Sequence, residues 1–339
     1  MRRRGPRGGA TQATVASAAG VSVATVSKVL NGHSDVAPET RARIKELLQQ
    51  HNYVARGSGP ADSTVRTFSM LFDAMENPNN LEIIRGATEY AVEARVDVVI
   101  GIVPDDRDGA AWARRVKGFR REGLVLVTSR LTTDQIDSVQ KAGVPLVTID
   151  PVNIPPSHVA SVGATNFNGG VEATAHLLSL GHRRIAFVEG PGAVVSMARL
   201  HGYHAALAQA GIVGDSSLIR AGDFTFAAGV AAATELLSTD RPPTAVFAAN
   251  DLMALGVLEA ARAMGVRVPE DLSVVGFDDM PGARWSAPPL TTVRQPFAAM
   301  GRASIQNLRL LVDGEPLTSD RVELATTLVI RQSTARCRV

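Results

Sequence analysis

Four histidines, His176, His182, His201 and His204, have the most evident capacity for metal binding or proton transfer. Their spacing matches no metal-ligand or H-E-x-x-H pattern, so no metal site is expected and each reads as a surface or satisfied histidine. The single cysteine, Cys337, rules out a disulfide framework, a cysteine-based zinc site and a thiol redox pair, and it fits a reducing cytoplasm. There is no G-x4-G-K-[ST], no G-x-S-x-G elbow and no dinucleotide G-x-G-x-x-G; Gly190-Pro191-Gly192 follows an apolar run, but Val195 stands where the third glycine would be. Neither catalysis nor a cofactor is expected. The chemistry lies elsewhere, in an uneven distribution of charge. Residues 1–66 carry ten Lys/Arg against four Asp/Glu, a balance of +6, while the rest of the chain balances to −4. A small basic module on a mildly acidic body points to a polyanionic partner. Within that module Val23, Ala24, Ser27 and Lys28 share one face of a short helical stretch.

Helical periodicity supplies the elements that hold this face. Val15, Ala16 and Ala19 fall on one side of a first helix that Gly20 should stop. Ser22 can cap a second helix with Val26, Val29 and Leu30 inward, ended by Asn31-Gly32. A third starts at Pro38 and runs through Ile44, Leu47 and Leu48 to about His51. Two short helices sealed by a third make a helix-turn-helix, and small residues at Ala16 and Gly20 should let the first two cross closely. Arg2–Arg4 ahead of Ala10–Val29 mimics an export signal, yet Thr11, Gln12, Thr14, Ser17, Ser22, Thr25 and Ser27 interrupt the apolar run. No stretch of 18 apolar residues occurs, so no spanning helix is expected.

At ~150 residues per domain, 339 residues allow two or three domains. From Thr67 onward apolar runs alternate with amphipathic stretches. Phe68–Phe72, Val96–Ile102, Leu124–Val127 and Pro145–Ile149 read as buried strands, with helices around Leu81–Ala94, Gly109–Arg120 and Asp134–Lys141. A second series has strands at Ile185–Glu189, Leu218–Ala221, Ala245–Ala249 and Ser273–Phe277, with helices around Ala173–Leu180, Met197–Ala210, Ala228–Leu237 and Leu252–Met264. Two such series imply an α/β body of two doubly wound parallel sheets. A ligand would sit beyond the carboxyl ends of the strands, between two lobes.

Thr11-x3-Val15-Ala16-x2-Ala19-Gly20-Val21-Ser22-x2-Thr25-Val26-Ser27-x-Val29-Leu30-Asn31, with Thr40-Arg41 and Asn52-Tyr53 downstream, resembles the DNA-binding headpiece of the lactose/galactose repressor (LacI/GalR) family. The likeness continues through Gly181-His182-Arg183-Arg184-Ile185, Ala249-Asn250-Asp251, Val274-Val275-Gly276-Phe277-Asp278-Asp279 and Pro288-Pro289-Leu290-Thr291-Thr292-Val293. Val162-Gly163-Ala164-Thr165-Asn166 and Glu323-Leu324-Ala325-Thr326 are similar to members that control breakdown of plant polysaccharides such as xylan. The resemblance implies an all-α helix-turn-helix headpiece followed by a two-lobed body like that of periplasmic sugar-binding proteins. Its divisions fall at 1–53 (1–10 a basic arm), a linker at 54–66, a first lobe at 67–163 plus 297–323, and a second at 164–293 plus 324–332. Two departures stand out. Ala37 offers no side-chain cap to the third helix, and the linker VARGSGPADSTVR holds Gly57, Gly59 and Pro60 but no leucine to wedge into a minor groove.

Carried over position by position, the resemblance implies DNA contacts from Thr11, Ser22, Val23, Ala24, Thr25, Ser27, Lys28, Asn31, Arg41 and Arg56. It implies an effector held by Asp73, Asp150, Arg199, Phe224, Asn250, Asp278 and Gln295, with Asn77 and Ser129 placed in the loops after the first and third strands. Arg199 could fork onto vicinal hydroxyls, Asp278 and Asn250 could bracket a sugar edge, and Phe224 could stack on its face or belong to the core. Asp251 reads as a helix cap and Asp279 as a turn residue before Pro281. The expected protein is a cytoplasmic, non-enzymatic, homodimeric repressor that binds a pseudo-palindromic duplex operator and a small sugar, with no cofactor and no membrane. An exported sugar-binding protein would share the body but needs a true signal peptide where the helix-turn-helix lies.

Overall fold

The computed structural model describes residues 11–30, 35–51, 65–103, 122–130 and 132–338, in two compact units divided after Thr64. In the first unit, the Thr11 hydroxyl accepts from Thr14 N at 3.3 Å and caps α1 (Gln12–Ala19). Gly20 ends it at φ 68°, a left-handed conformation in which glycine has no Cβ penalty. A Cβ on Gly20 would meet nothing within 4 Å, so glycine serves the chain reversal and not the close crossing expected of it. Ser22 Oγ accepts from Thr25 N at 3.1 Å at the start of α2 (Val23–Leu30), and α2 is bent 108° from α1. Proline opens α3 (Pro38–Gln50). Val15, Ala16, Ala19, Val26, Val29, Val36 and Ile44 are buried together, with Leu30, Leu47 and Leu48 at the rim of this core.

The second unit holds two six-stranded sheets. One contains β1 (Arg66–Phe72), β2 (Val96–Ile102), β3 (Gly123–Val127), β4 (Leu146–Ile149), β5 (Ala160–Ala164) and β11 (Arg321–Leu324), ordered β11-β5-β4-β3-β1-β2 and wholly parallel. The other contains β6 (Ile185–Glu189), β7 (Ile219–Ala221), β8 (Ala245–Ala248), β9 (Ser273–Asp278), β10 (Thr291–Arg294) and β12 (Thr327–Val329), ordered β12-β10-β9-β8-β6-β7, with β12 antiparallel. β3, β4, β8 and β9 are buried along their whole length, as parallel strands covered on both faces must be. Helices α4 (Asn80–Ala94), α5 (Thr133–Lys141) and α11 (Phe297–Asp313) belong to the first lobe. Helices α6 (Asn166–Ser179), α7 (Val194–Gln209), α8 (Phe226–Leu237), α9 (Asp251–Ala263) and the short α10 (Pro281–Trp285) belong to the second. The chain passes between lobes after β5, after β10 and after β11.

Several elements differ from the sequence expectation. Helix α6 starts at Asn166, seven residues before Ala173, because Gly169-Gly170 is not a break but a packing surface. A Cβ on Gly170 would lie 2.4 Å from Arg199 O, and one on Gly202 would lie 2.2 Å from Phe167 O, so these glycines let α6 and α7 touch backbone to backbone. Strand β1 begins at Arg66, the last residue assigned to the linker, and its guanidinium pairs with Asp313 and Glu122. Strands β5, β10, β11 and β12 and helices α10 and α11 are additions to the sequence expectation; β11 and β12 are three or four residues long and half exposed, too short for periodicity to register. The helix expected around Gly109–Arg120 and the linker residues up to Thr64 lie outside the described residues. Among the described residues no single helix is long and apolar enough to cross a membrane.

Candidate ligand cleft and nucleic-acid interface

The carboxyl ends of the strands converge on one buried arginine. Arg199, on α7, is held by Asn166 Oδ1, which accepts from Nε at 2.8 Å, and by Ala249 O, which accepts from Nη1 at 2.6 Å. Its Cζ lies 3.9 Å from the centre of the Phe277 ring. Nη1 is 3.7 Å from Oδ1 of Asp278, the last residue of β9, and Asp150, just past β4 of the other lobe, supplies the second carboxylate facing it. Gln295 Nε2 donates to Asp278 Oδ1 at 2.7 Å, and Asn79 Nδ2 donates across the cleft to Asp278 Oδ2 at 2.9 Å. Val194 N also crosses, donating to Val152 O at 3.1 Å. Asp150 (φ 41°), Phe224 (69°), Asp278 (119°) and Asp279 (59°) all take positive φ outside glycine, a concentration of backbone strain at one site.

Burial sets the electrostatics. It pushes the Asp150 carboxyl up to about 7; Arg199 pulls it down and Asp278 pushes it further up. Burial likewise raises Asp278, against the pull of Arg199, and lowers the Arg199 guanidinium. One cation thus serves two buried carboxylates from opposite lobes. Among the described residues, Gln295 Oε1 is buried with no hydrogen-bond partner.

Because the folded Asp150 carboxyl is raised, its contribution to stability is complete below about pH 4 and is lost as pH rises through about 7. Asp150→Asn is therefore expected to melt higher than wild type at pH 8, to keep only part of that advantage at pH 5 and to lose it by about pH 4. The upper limit of the difference is about 4 kcal/mol, from about three pH units at ~1.4 kcal/mol each. Melting curves of both proteins across that range check it; a difference that does not change with pH contradicts it.

The other expected ligand residues divide into those at this centre and those away from it. Asn250 is nearby and buried, but both ends of its amide are engaged: Oδ1 caps α9 by accepting from Met253 N at 2.9 Å, and Nδ2 donates to Phe224 O at 3.0 Å. The Phe224 ring lies against Gly190, where a Cβ would come within 2.2 Å. Ser129 is buried with Oγ donating to Val127 O, and Asp73 is exposed beyond β1. Asn77 Oδ1 accepts from Asn79 N in a local turn, so the side chain that reaches the centre is Asn79, two residues beyond the expected one. Asp251 is not the cap of α9, which is Asn250. It is fully buried and braces the loop after β9, accepting from Thr292 Oγ1 at 2.5 Å and Met280 N at 2.8 Å. Asp279 is more than a turn residue: its buried carboxylate gathers Arg331, Arg294 at 2.7 Å and Arg284 at 3.6 Å. No short motif signals either carboxylate, since apart from Arg284 their partners lie 15–52 positions away in sequence. His182 is buried between Thr244, Ser273 and Ala335, and His176 meets Thr334; among the described residues no group of His, Cys, Asp or Glu is arranged to hold a metal.

Among the described residues, two cavities border residues of this centre. One of about 710 Å³ borders Asn79, Asp278, Gln295 and Trp285; the other, of about 190 Å³, borders Asp150, Asn166, Phe167 and Val194.

On the first unit, Val23, Ala24 and Lys28 are exposed on α2 and Ser27 is half-buried beside them. Lys28 Nζ is 2.6 Å from Asp35 Oδ2. The hydroxyls of Thr11 and Ser22 act as caps, and Thr25 bonds Ser22; Arg41 is half-buried on α3. Asn31 and Arg56 lie outside the described residues.

Residues 13–55 match the description "Bacterial regulatory proteins, lacI family", and residues 174–334 match "Periplasmic binding protein-like domain". The chain is similar to the HTH-type transcriptional regulator CelR of Thermobifida fusca, 37% identical over 98% of this chain and 99% of that protein. Among solved structures it is similar to a transcriptional regulator CelR–cellobiose complex (35% identity, TM-score 0.73, 96% of this chain and 99% of that one). It is also similar to the lac repressor dimer bound to operator and the anti-inducer ONPF (28% identity, TM-score 0.74, 96% and 99%).

Proposed function

The chain belongs to the lacI family of bacterial regulatory proteins, and on that premise we propose that it is a cytoplasmic transcriptional repressor whose operator affinity is set by a saccharide bound between its lobes. The observation that carries this reading is the Asp150–Arg199–Asp278 cluster. One lobe supplies a carboxylate and the other supplies the arginine and its counter-charge, so anything that bonds to the cluster favours one arrangement of the lobes over another. Paired carboxylates, a forked cation and an unpartnered amide oxygen are the groups that polyhydroxylic ligands satisfy. The likeness to a regulator solved with cellobiose supports a saccharide, and we assign the chain no catalytic role. A thermal-shift panel of mono- and disaccharides tests the reading. At least one saccharide is expected to raise the melting temperature of wild type and to fail with Arg199→Ala; a panel with no response contradicts it.

We assign DNA recognition to residues 1–53, working in pairs. A single short helix-turn-helix buries little surface, and two matched to a pseudo-palindrome double the contacts. The likeness to a repressor dimer on its operator supports this arrangement.

Lys28 is the base-reading cation in this scheme, and it must leave Asp35 to reach a guanine. Lys28→Ala is expected to lose ~1–3 kcal/mol of operator binding and to relax preference at one base pair per half-site. Binding measured against a library of operator variants checks it; a uniform loss across all sequences would instead mark a phosphate contact.

A further inference from the structure

Asp278 belongs to the second lobe, yet both of its oxygens are taken by residues that lead into helices of the first. Asn79, directly ahead of α4, donates to Oδ2 at 2.9 Å, and Gln295, two residues ahead of α11, donates to Oδ1 at 2.7 Å. Asn79 holds the N-cap position of α4 but makes no side-chain bond to that helix. A residue well suited to capping instead turns its amide across the cleft.

The two helices that begin at Asp278 are locked together. A Cβ on Gly86 would lie 1.8 Å from Ala298 O, and one on Gly301 would lie 2.0 Å from Ile83 O, so α4 and α11 meet backbone to backbone. No side chain lies between them to repack, and neither helix can slide along the other without a clash. Met300, Ile305 and Leu308 seat α11 in the core of the first lobe. With 17 residues it is about 25 Å long, at ~1.5 Å per residue.

The far ends of both helices arrive at one residue, Arg66. After α4 the chain turns at Arg95 (φ 55°) straight into β2, whose first residue, Val96, is the register partner of Arg66. α11 ends at Asp313, whose carboxylate accepts from Arg66 Nη1. Arg66 is both the last residue assigned to the linker and the first of β1, so in sequence the headpiece joins the body through it. Strand pairing holds its backbone, and Asp313 alone ties it to α11.

We infer that Arg66 and Asp313 are positioning residues for ligand-dependent DNA binding: their ion pair fastens the point where the linker enters the body to the far end of α11, and α11 carries displacements of Asp278 to it. This inference rests on the repressor reading. A ligand that reorients Asp278 pulls on the leading ends of α4 and α11 together, and a stiff helix pair passes that movement on instead of absorbing it.

Operator affinity of the full chain by fluorescence anisotropy tests it. The probe is whichever of cellobiose, xylobiose, maltose, glucose and xylose most raises the melting temperature of wild type. Asp313→Asn keeps the size of the side chain and removes its charge. The variant is expected to bind the saccharide as wild type does, and an exposed pair of this kind should move the melting temperature by no more than about 3 °C. Its operator affinity should change less than about two-fold with ligand, where wild type changes at least about five-fold. Asp313→Glu retains the charge and is expected to recover most of the response. Glu93→Gln breaks a pair with Arg302 that joins the same two helices away from Arg66, and it is expected to leave the response at its wild-type size. An Asp313→Asn chain that responds like wild type overturns the inference, and so does a Glu93→Gln chain that loses as much response. If no saccharide alters operator affinity in wild type, the repressor reading itself fails before any variant is compared, and the inference falls with it.

Discussion

Raising salt from 50 to 200 mM is expected to weaken operator binding about 10³–10⁵-fold, the loss that follows if the two headpieces together neutralise ~6–10 phosphates. The basis is the concentration of positive charge in residues 1–66 against a body that is net negative. Arg66 does not contribute, because Asp313 and Glu122 hold its guanidinium. Lys28 contributes only after leaving Asp35, an exchange between two exposed partners that costs little. Each phosphate contact releases condensed counterions, so the logarithm of affinity should fall linearly with the logarithm of salt. A fluorescence-anisotropy titration at several salt concentrations gives the slope. An affinity indifferent to salt would contradict DNA binding by this module.

The second large effect concerns Arg199. Truncation to alanine removes the bonds to Asn166 Oδ1 and Ala249 O, uncovers the Phe277 ring and leaves Asp150 and Asp278 buried without their cation. Breaking a buried pair by removing one partner costs ~3–5 kcal/mol. Arg199→Ala is thus expected to lose stability of that order and to lose its response to saccharide. Arg199→Lys restores the charge but not the planar fork, so it should recover part of the stability and little of the response. Melting curves with and without ligand separate the two losses. An alanine variant as stable and as responsive as wild type would show that the arginine is not the centre of the cleft.

The headpiece was readable in the sequence because its signals are local. A hydroxyl cap at Thr11 or Ser22, the glycine stop at Gly20 and the spacing of Val15, Ala19, Val26 and Val29 each act within a few residues. The interior strands were equally legible, since strands such as Leu146–Ile149 and Ala245–Ala248 are buried on both faces and read as unbroken apolar runs. What escaped depends on distant partners. The start of α6 at Asn166 depends on Gly170, which lies against the backbone of α7, and on Gly169, which lies against Phe277 and Val293. Asn79 looks no different from Asn77 until a lobe over 190 residues away brings Asp278 to it. Asp279 resembles any residue of a turn, and only the fold assembles Arg284, Arg294 and Arg331 around it. The site residues at the cleft centre follow from resemblance and not from any local pattern; their geometry shows which of them gather around Arg199 and which, like Asn250, hold their neighbours.

The most direct measurement is operator affinity of the wild-type chain at fixed salt, titrated with a saccharide that raises its melting temperature, with Arg199→Ala alongside. Wild-type affinity is expected to change at least five-fold as the ligand saturates, within the ~1–3 kcal/mol typical of coupled sites, and operator DNA should change saccharide affinity by the same factor. The variant should show neither change. Saturating saccharide that leaves operator affinity unaltered in the wild type would contradict the account, because the cluster between the lobes would then bind a ligand without controlling DNA.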